Sequence, residues 1–389
     1  MLLDSLVNDR ALIGAVVVVQ GRLLHRHDTL VLRDADHEVT LLWTASLPPE
    51  GSIVQIRGAW DGSTLEAQSL SLLTPALKTE RPDHEAIHRR TKNLRLRHQA
   101  SRAVRRYFDE ADFVEVETPL IVPSPGLDLH LDAFEVPYQE ELRYLITSPE
   151  YQMKRVLAGG LTRIYQLARC FRKGEVGAHH EPEFTLVEWY RAFAGSADVM
   201  ADTEKLVAFV AEATLGTTIL PSGVDVAPPW PRRRVSDVFE EYAKVSVKTV
   251  LPDEDRFFRL YVDEVEPRLG NGPFFLTHWP ASMASLARLL PEDPTIADRF
   301  EAYIGGIEIS NGFGELVDAQ EQRQRLMRDQ EQRTQQGLPP YPIDERFLGA
   351  LEEGIPPSGG NALGFDRLVM LLSGASHIED VVALPHRRL

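Results

Sequence analysis

The stretch that best predicts the fold is Arg169-Cys-Phe-Arg-Lys-Gly-Glu-Val-Gly-Ala-His-His-Glu-Pro-Glu-Phe-Thr-Leu-Val-Glu-Trp-Tyr-Arg191. It predicts two strands joined by a polar loop, with Arg172 at the end of the first strand and Phe184 on the second. An arginine beside an aromatic ring suits a nucleotide, because the charge attracts phosphate and the ring stacks on a base. The adjacent His179 and His180 suggest a metal site, but no further His or Cys follows at ligand spacing, so metal binding is the weaker interpretation.

Other strand-like segments are far apart in the sequence and do not alternate regularly with helices. They cover residues 113–116, 144–147, 163–167, 184–188, 274–278 and 302–309. This spacing predicts an α+β domain, in which helices flank an antiparallel sheet. Residues 318–337 are rich in Gln, Arg and Glu, and they predict an exposed helix that ends near Gly337.

The first 75 residues predict a separate domain. Short β-branched and aliphatic runs alternate there with turn clusters, which is typical of a small five-stranded barrel of the oligonucleotide-binding (OB) type. Barrels that bind nucleic acid carry a basic groove and stacking aromatics. This one has five Lys and Arg against nine Asp and Glu, and Trp43 and Trp60 are its aromatics besides histidine. A docking or dimer-supporting role is therefore favoured over nucleic-acid binding, with a linker predicted over 76–93 and a second domain over 94–389.

Composition and charge exclude several classes of protein. The 389 residues include 42 Lys and Arg against 58 Asp and Glu, a net charge of −16, which argues against a protein that coats nucleic acid. A single cysteine, Cys170, cannot form an internal disulfide and favours a reducing compartment. No run approaches the roughly 18 apolar residues of a membrane span, and no secretory signal is expected. We therefore expect a cytoplasmic protein with no membrane contact.

A basic segment interrupts this acidic background. Residues 78–106 contain ten Lys and Arg against three Asp and Glu. The segment runs into a predicted helix with Ala100, Ala103, Val104, Tyr107 and Phe108 on one face. It is either a solvated helix face or a surface for an acidic partner.

Three carboxylates mark a candidate site near residue 308: Glu301, Glu308 and Glu315. Glu308 lies between two isoleucines, so on a strand it points away from them and needs a partner. Mg²⁺ carried by substrate phosphates would supply one, and a salt bridge to an arginine is the alternative. Farther on, the glycine-rich stretch 359–364 precedes a helix at Arg367, which would let the backbone approach a ligand and favour an anion.

Three motifs together resemble a known family. Phe113-Val-Glu-Val-Glu-Thr-Pro119, Phe171-Arg172 with His180-Glu-Pro-Glu-Phe184, and Gly360-Asn-Ala-Leu-Gly-Phe-Asp-Arg367 resemble motifs 1, 2 and 3 of class II aminoacyl-tRNA synthetases, in order. The resemblance extends over residues 85–389 and is strongest to the lysyl-tRNA synthetase branch. Within that branch the chain resembles the elongation factor P (R)-beta-lysine ligase family, notably in Glu188-Trp-Tyr-Arg191 and Pro280-Ala-Ser-Met-Ala-Ser-Leu-Ala287.

The resemblance implies roles for individual residues. It implies catalytic roles for Arg172, Glu308 and Arg367, and metal binding by Glu301 and Glu308. Implied ATP-binding residues are Arg172, Lys173, Gly174, His180, Glu181, Phe184, Glu308, Ile309, Gly364 and Arg367. Implied binding residues for the amino-acid substrate are Ser148, Pro149, Glu150, Tyr190, Asn311, Phe313, Glu315 and Ala362.

The implied reaction uses ATP and Mg²⁺ to make an adenylate of lysine or beta-lysine, which is passed to a lysine of elongation factor P. Positioning and charge stabilisation would carry the catalysis, with no covalent protein nucleophile. The implied assembly is a homodimer through motif 1. Two alternatives stay open: a compact lysyl-tRNA synthetase that charges tRNA, and a non-catalytic synthetase paralogue.

The chain departs from the family pattern at four points. Gly174 stands where motif 2 usually has Glu, with Glu175 one residue late, and Glu181 replaces the usual Asn. Ala362 matches the ligases rather than the lysyl-tRNA synthetases, which usually have Gly there. The N-terminal barrel instead favours a lysyl-tRNA synthetase, because the simplest beta-lysine ligases lack such a barrel.

Overall fold

The computed structural model of the chain describes residues 1–77, 83–129 and 131–389. Within these ranges the chain divides into two compact units, Met1–Lys92 and Asn93–Leu389. Each unit has its own apolar core. Among the described residues, we find no helix that combines the length and the apolar character needed to cross a membrane.

The first unit is a closed five-stranded barrel. Its elements are α1 (Leu3–Asn8), β1 (Val16–Arg26), β2 (Thr29–Arg33), β3 (Glu38–Leu42), β4 (Ile53–Trp60) and β5 (Thr64–Thr74). The strands pair in the order β1-β2-β3-β5-β4, and β4 closes the barrel on β1. Alternate residues of β4, among them Val54, Ile56 and Trp60, fill the interior. The predicted five-stranded barrel is confirmed.

Part of the predicted linker and of the basic segment, residues 78–82, lies outside the described residues. The described remainder of the linker contains α2 (Asp83–His88) and the start of α3 (Thr91–Glu110). On the barrel, Arg33 is buried and its guanidinium lies 2.9 Å from His84 Nδ1 and 3.2 Å from Glu85 Oε1. Residues 83–88 are therefore held against the barrel. In α3, four of the five predicted apolar positions are buried and Tyr107 is partly buried.

The second unit is built on a nine-stranded sheet. Its strands and those of a smaller sheet are β6 (Val114–Glu115), β7 (Ile121–Val122), β8 (Glu135–Tyr138), β9 (Glu141–Leu145), β10 (Arg163–Phe171), β11 (Glu183–Ala192), β12 (Arg232–Arg234), β13 (Phe274–Pro280), β14 (Leu289–Leu290), β15 (Asp293–Ile304), β16 (Ile307–Gly314) and β17 (Ser358–Gly364). Its further helices are α4 (Glu150–Ala158), α5 (Ser196–Leu215), α6 (Val235–Val238), α7 (Val247–Val250), α8 (Glu254–Leu260), α9 (Ala319–Gln335), α10 (Glu345–Gly354) and α11 (Phe365–Ser373).

Helices cover both faces of this sheet. The strand order is β12-β13-β15-β16-β17-β11-β10-β6, with β14 on β15, and the pairing is antiparallel except at the two ends. On one face Val187 and Trp189 of β11 pack in a core shared with α5 and α11. On the other face Tyr190 packs in a second core with α4 and α10. This confirms the predicted α+β architecture.

Two sequence predictions need correction. The strand predicted over 302–309 is a hairpin, in which β15 and β16 are joined by Gly305 and Gly306 with φ of +65° and +75°. Glycine adopts that left-handed conformation without steric cost, so the Gly-Gly pair was a turn signal. The helix predicted over 318–337 exists as α9, but one of its faces is buried and carries polar side chains. It is not an exposed helix.

Candidate active site

A cavity of about 650 Å³ lies against the nine-stranded sheet. Most of the sequence-predicted site residues line it: Ser148, Glu150, Arg172, His180, Glu181, Phe184, Glu301, Glu308, Ile309, Asn311, Phe313, Ala362, Gly364 and Arg367. Five other predicted residues, all within the described ranges, are not part of the lining. Tyr190 and Glu315 are buried, Lys173 and Gly174 are exposed on the loop after β10, and Pro149 precedes α4.

The register of the sheet explains why distant residues meet here. Glu188 of β11 lies opposite Ala362 of β17, Ala362 opposite Asn311 of β16, and Asn311 opposite Glu301 of β15. Side chains that lie opposite one another on neighbouring strands point to the same face. The neighbouring row on this face runs through Tyr190, Gly360, Phe313 and Arg299. Two rows of the sheet thus place acidic, amide, aromatic and basic groups side by side.

A β-bulge brings Glu308 to this face. Glu308 lies opposite Tyr303, whereas Asn311 lies opposite Glu301, so β16 has one residue more than its partner between the two pairs. Strict alternation would send Glu308 and Asn311 to opposite faces, since they are three residues apart. The extra residue restores the match. The local sequence did not predict this bulge.

Gly360 allows the Glu315 carboxylate and the Tyr190 ring to come close to the backbone of β17. A Cβ atom on this residue would lie 2.3 Å from Glu315 Oε1 and 2.4 Å from the Tyr190 ring. Real Cβ atoms do not make contacts that short. The glycine-rich stretch was expected to admit a ligand, but at Gly360 it admits side chains of the chain itself.

A buried acidic cluster lies at one end of the cavity. Lys154 is almost fully buried, with its Nζ 2.7 Å from Glu150 Oε1 and 2.5 Å from Glu315 Oε2. Glu150, Tyr190 and Glu315 are among the residues that the family resemblance implies for binding the amino-acid substrate, whose side chain would carry an ammonium group. The structure does bring the two carboxylates together, but around the ammonium of Lys154.

Glu188 is a member of this cluster that the sequence reasoning missed. Its Oε1 accepts a hydrogen bond from the Tyr190 hydroxyl at 2.6 Å, and its Oε2 accepts one from Ser148 Oγ at 2.8 Å. The side chain is 1% exposed. The alternation of side chains along β11 could have identified Glu188. It is separated by even numbers of residues from the two predicted site residues Phe184 and Tyr190, so all three side chains point to the same face.

The cluster holds more negative than positive groups. Burial lowers the pKa of Lys154, but Glu150 and Glu315 outweigh this effect and raise that pKa above the ordinary lysine value. Burial, with a contribution from Glu150, raises the pKa of Glu188 to about 8. Burial also raises the pKa of Glu315 to about 8, although Lys154 acts against it. Glu188 and Glu315 therefore take up protons near neutral pH unless another cation arrives.

The opposite end of the cavity carries Arg172 and Phe184. The Arg172 guanidinium lies over the Phe184 ring, 4.9 Å from its centre. One side of this guanidinium is 3.8 Å from Glu175. Its Nε atom is buried without a hydrogen-bond partner among the described residues. A buried donor of this kind suits an incoming anionic oxygen.

Arg367 is held at the same end by two neighbours. Its Nη1 donates to the Glu308 backbone carbonyl at 2.6 Å, and its Nη2 lies 2.7 Å from His180 Nε2. Burial, aided by the Arg367 charge, lowers the pKa of His180, so the neutral ring accepts this hydrogen bond. The Glu308 carboxylate is also 3.6 Å from Arg367, which is the salt bridge considered from the sequence.

The motif 2 departures have a structural explanation. Gly174 has φ of +86°, a conformation that a glutamate would adopt only with strain. Glu175, one residue later, lines the cavity and faces Arg172. Glu181 is buried, and its carboxylate accepts a hydrogen bond from the His386 backbone N–H at 2.8 Å. In this chain Glu181 thus anchors residues 385–388 beside the cavity.

Glu301 and Glu308 form a donor set that suits a hard cation. Both carboxylates line the cavity, and Glu301 also accepts hydrogen bonds from Arg299 at 2.6 Å and Tyr303 at 2.8 Å. Burial raises the pKa of Glu301 to about 7 even beside Arg299, so its negative charge is incompletely compensated. Each carboxylate oxygen keeps a lone pair for a metal ion. Within the described ranges no group of three or more His, Cys, Asp or Glu could hold a metal by itself, so a cation here would share its ligands with substrate oxygens.

Comparison with known proteins agrees with this geometry. A family model described as "tRNA synthetases class II (D, K and N)" matches residues 83–388. That family is of the ATP-dependent kind.

Several relatives share one name, and they identify the branch of the family to which the chain belongs. Proteins named "Elongation factor P--(R)-beta-lysine ligase" from Proteus mirabilis (strain HI4320), Enterobacter sp. (strain 638) and Klebsiella pneumoniae (strain 342) are 41%, 40% and 39% identical to this chain over 296, 307 and 305 residues. The matches cover 72%, 75% and 75% of this chain and 91%, 94% and 94% of the relatives. The chain is therefore a ligase of the class II tRNA synthetase family, and it belongs to the branch whose members carry this ligase name.

Proposed function

We propose that this protein uses ATP to activate lysine or (R)-beta-lysine and transfers the acyl group to a lysine side chain of elongation factor P. The observation that carries the proposal is the unbalanced charge of the buried cluster: Glu150 and Glu315 share the ammonium of Lys154, and Glu188 is bound by the hydroxyls of Ser148 and Tyr190. A substrate with a side-chain ammonium supplies the missing positive charge. We infer the acceptor from the name of the relatives, since no residue that lines the cavity identifies it.

In the first step a carboxylate oxygen of the amino acid attacks the α-phosphorus of ATP. The new O–P bond replaces the bond to the bridging oxygen, and pyrophosphate leaves with that oxygen. Arg172 stabilises the charge that develops on the α-phosphate, because its Nε has no hydrogen-bond partner among the described residues and its guanidinium lies over Phe184. Arg367, held by Glu308 and His180, and the Phe184 ring provide two planar groups for the adenine.

Mg²⁺ would be held by Glu301 and Glu308 together with phosphate oxygens, and it would neutralise phosphate charge. Residues of the chain itself position the amino acid. The rows of the sheet hold Asn311 and Phe313 between the acidic cluster and the carboxylate pair. The amino acid is thus bound with its ammonium in the cluster and its carboxylate towards Arg172.

In the second step the amine nitrogen of an acceptor lysine attacks the acyl carbon. An amide bond forms, the bond from the acyl carbon to the phosphate oxygen breaks, AMP leaves, and the attacking nitrogen loses a proton. A tRNA hydroxyl would give an ester in the same geometry. The barrel has five Lys and Arg against nine Asp and Glu, and this acidic balance favours the protein acceptor over tRNA.

A side-by-side acceptor assay tests this function. Purified protein with ATP, Mg²⁺ and radiolabelled (R)-beta-lysine or lysine is offered elongation factor P and, separately, lysine tRNA. We expect labelled elongation factor P, dependence on Mg²⁺ and little tRNA charging. Elongation factor P with its acceptor lysine changed to arginine is the control and should stay unlabelled. Efficient tRNA charging with unlabelled elongation factor P would contradict the proposal.

We also propose that the protein forms a homodimer through the segment around motif 1. Val114, Leu120 and Ile121 are 47%, 38% and 47% exposed, and an apolar strip of this kind is typical of a protein interface. Sedimentation at micromolar concentration should give a species of twice the 43.8 kDa chain mass. Replacing Ile121 by glutamate should shift the equilibrium towards monomer. Sedimentation of the unaltered protein as a monomer would contradict the proposal.

A further inference from the structure

The buried face of α9 is polar, which is unusual for a helix that packs against a core. Gln322, Arg325, Asp329 and Arg333 are spaced by three, four and four residues, so they share one face. They are 0%, 5%, 8% and 0% exposed. Burying two guanidinium groups is costly unless their donors are satisfied. The partners of these side chains therefore indicate what the helix does.

The N-terminal half of this face binds the segment 281–287. Arg325 Nη1 donates to the backbone carbonyls of Ala284 at 2.8 Å and Ala287 at 2.7 Å. Gln322 Nε2 donates to the Ser285 carbonyl at 3.1 Å, and Ser285 Oγ donates to Asp329 Oδ2 at 2.6 Å. Two side chains of α9 thus fix backbone carbonyls of this segment, and a third, Asp329, holds the side chain of Ser285.

The C-terminal half binds a second loop through Arg333. Its Nη1 donates to the carbonyls of Asp128 at 2.6 Å and Leu131 at 3.0 Å, and its Nη2 donates to the Asp132 carboxylate at 2.8 Å. Its guanidinium also lies 4.4 Å from the centre of the Tyr341 ring. A planar fork with five donors on three nitrogens can reach acceptors on several sides, whereas a lysine offers three donors on a single nitrogen.

Both loops are walls of the cavity. The lining residues that they contribute are Leu127, Asp128, Leu129, Leu131, Ser282, Met283, Ala284, Ser285 and Leu286. Each loop also joins the amino-acid end. The Leu127 N–H donates to the hydroxyl of Tyr151, the neighbour of Glu150, and Ala287 forms a β-bridge with Glu315. The loop held by Arg333 also reaches the residue after Arg172, because the Asp132 backbone carbonyl accepts a hydrogen bond from the Lys173 N–H at 2.7 Å.

We propose that Arg325 and Arg333 are positioning residues that hold these two loops in the form that binds the amino acid. They set the affinity for the amino-acid substrate more strongly than the affinity for ATP, because the bond towards the nucleotide end falls on the exposed Lys173 and not on Arg172 itself. The inference rests on the proposed function only in taking a lysine-type amino acid as the occupant. The physical reason is that an irregular loop keeps many conformations unless its carbonyls are fixed, and a small displacement at a binding wall is costly.

The test compares Arg333→Gly with Arg333→Lys in ATP–pyrophosphate exchange. We expect Arg333→Gly to raise the KM for lysine or (R)-beta-lysine by about 10- to 100-fold and the KM for ATP by less than about fivefold. Added guanidine should restore the KM of the glycine variant by refilling the site. Arg333→Lys should stay impaired. Arg323→Ala is the matched control, because Arg323 is on the same helix but pairs with Glu345 at the surface; it should behave like the unaltered protein.

Two further measurements keep the inference falsifiable. If Arg333→Gly does not fold, Gln322→Leu removes one loop contact at similar volume and should raise the amino-acid KM by about fivefold. Hydrogen exchange of the amides in 127–132 should be faster in Arg333→Gly than in Arg323→Ala. The hydrogen-exchange measurement needs no substrate, so it tests the inference even if the proposed amino acid is wrong. Parallel increases in both KM values, or unchanged hydrogen exchange, would overturn the inference.

Discussion

Replacing Arg172 by alanine is expected to reduce ATP–pyrophosphate exchange by about a thousandfold. Removing one preorganised donor from a developing oxyanion costs about two to three orders of magnitude, and Arg172 supplies both a charge and an Nε donor that has no partner among the described residues. The loss should fall mainly on kcat, because the interaction strengthens as charge builds on the α-phosphate. Arg172→Lys should recover only a part, since an ammonium cannot reproduce the planar group over Phe184.

Arg169 provides the control for this substitution. It lies on β10, three residues before Arg172, is half-exposed, and pairs loosely with Glu183 at 3.7 Å. Arg169→Ala should retain exchange within about twofold, because exposed ion pairs contribute little. A thermal melt of both variants separates folding from catalysis. Exchange by Arg172→Ala at more than about a tenth of the normal rate would show that Arg172 is not the phosphate ligand.

Replacing Glu188 by glutamine is expected to raise the KM for lysine or (R)-beta-lysine by about a hundredfold. A buried carboxylate that meets a substrate ammonium contributes several kcal/mol when its partner is present, on the order of 2–5. The same change should leave the ligand-free protein as stable or more stable near pH 8, because it removes a buried charge without a cationic partner of its own. Opposite signs for affinity and stability would distinguish a binding residue from a structural one. The outward-facing Glu183 on the same strand supplies the control variant, Glu183→Gln.

The raised pKa of Glu188 also predicts a pH dependence. Burial raises this pKa from 4.5 in the unfolded chain to about 8 in the native protein. Between these values the native state binds a proton that the unfolded state has lost, so this group's contribution to stability falls as pH rises from 4.5 to 8. The substrate ammonium needs the ionised carboxylate, so amino-acid affinity should rise between pH 6 and 8.5.

Glu188→Gln should weaken this pH dependence without abolishing it, because the pKa of Glu315 is also raised to about 8. Amino-acid affinity can be measured by isothermal titration calorimetry in buffers with different ionisation enthalpies. Proton release on binding at pH 7 is the expected signature. An affinity that is independent of pH from 6 to 8.5 in the unaltered protein would contradict the assignment.

Particular residues show how far sequence reasoning reached into the site. Arg172, Phe184, Glu308 and Arg367 lie in short motifs whose local pattern predicts strands, a turn and a helix, and they do line one cavity. Glu188 lay within reach of the same reasoning through the alternation of β11. Lys154 did not. Its position in α4 shows only that it follows Glu150 by one turn, whereas its partner Glu315 lies just after β16 and is 161 residues farther along the chain.

The sequence by itself determined the two-unit organisation of a small barrel followed by an α+β region, the motif residues and the class of chemistry, because alternation, turn residues and motif spacing are local properties. Only the tertiary structure decided the bulge that turns Glu308 to the face of Asn311, the ion pairing of Lys154 and the buried polar face of α9. These features depend on strand register and on which loops pack against a helix, and such contacts join residues far apart in the chain. A polar helix such as α9 therefore looks exposed in the sequence, although folding gives its arginines a row of backbone carbonyls to bind.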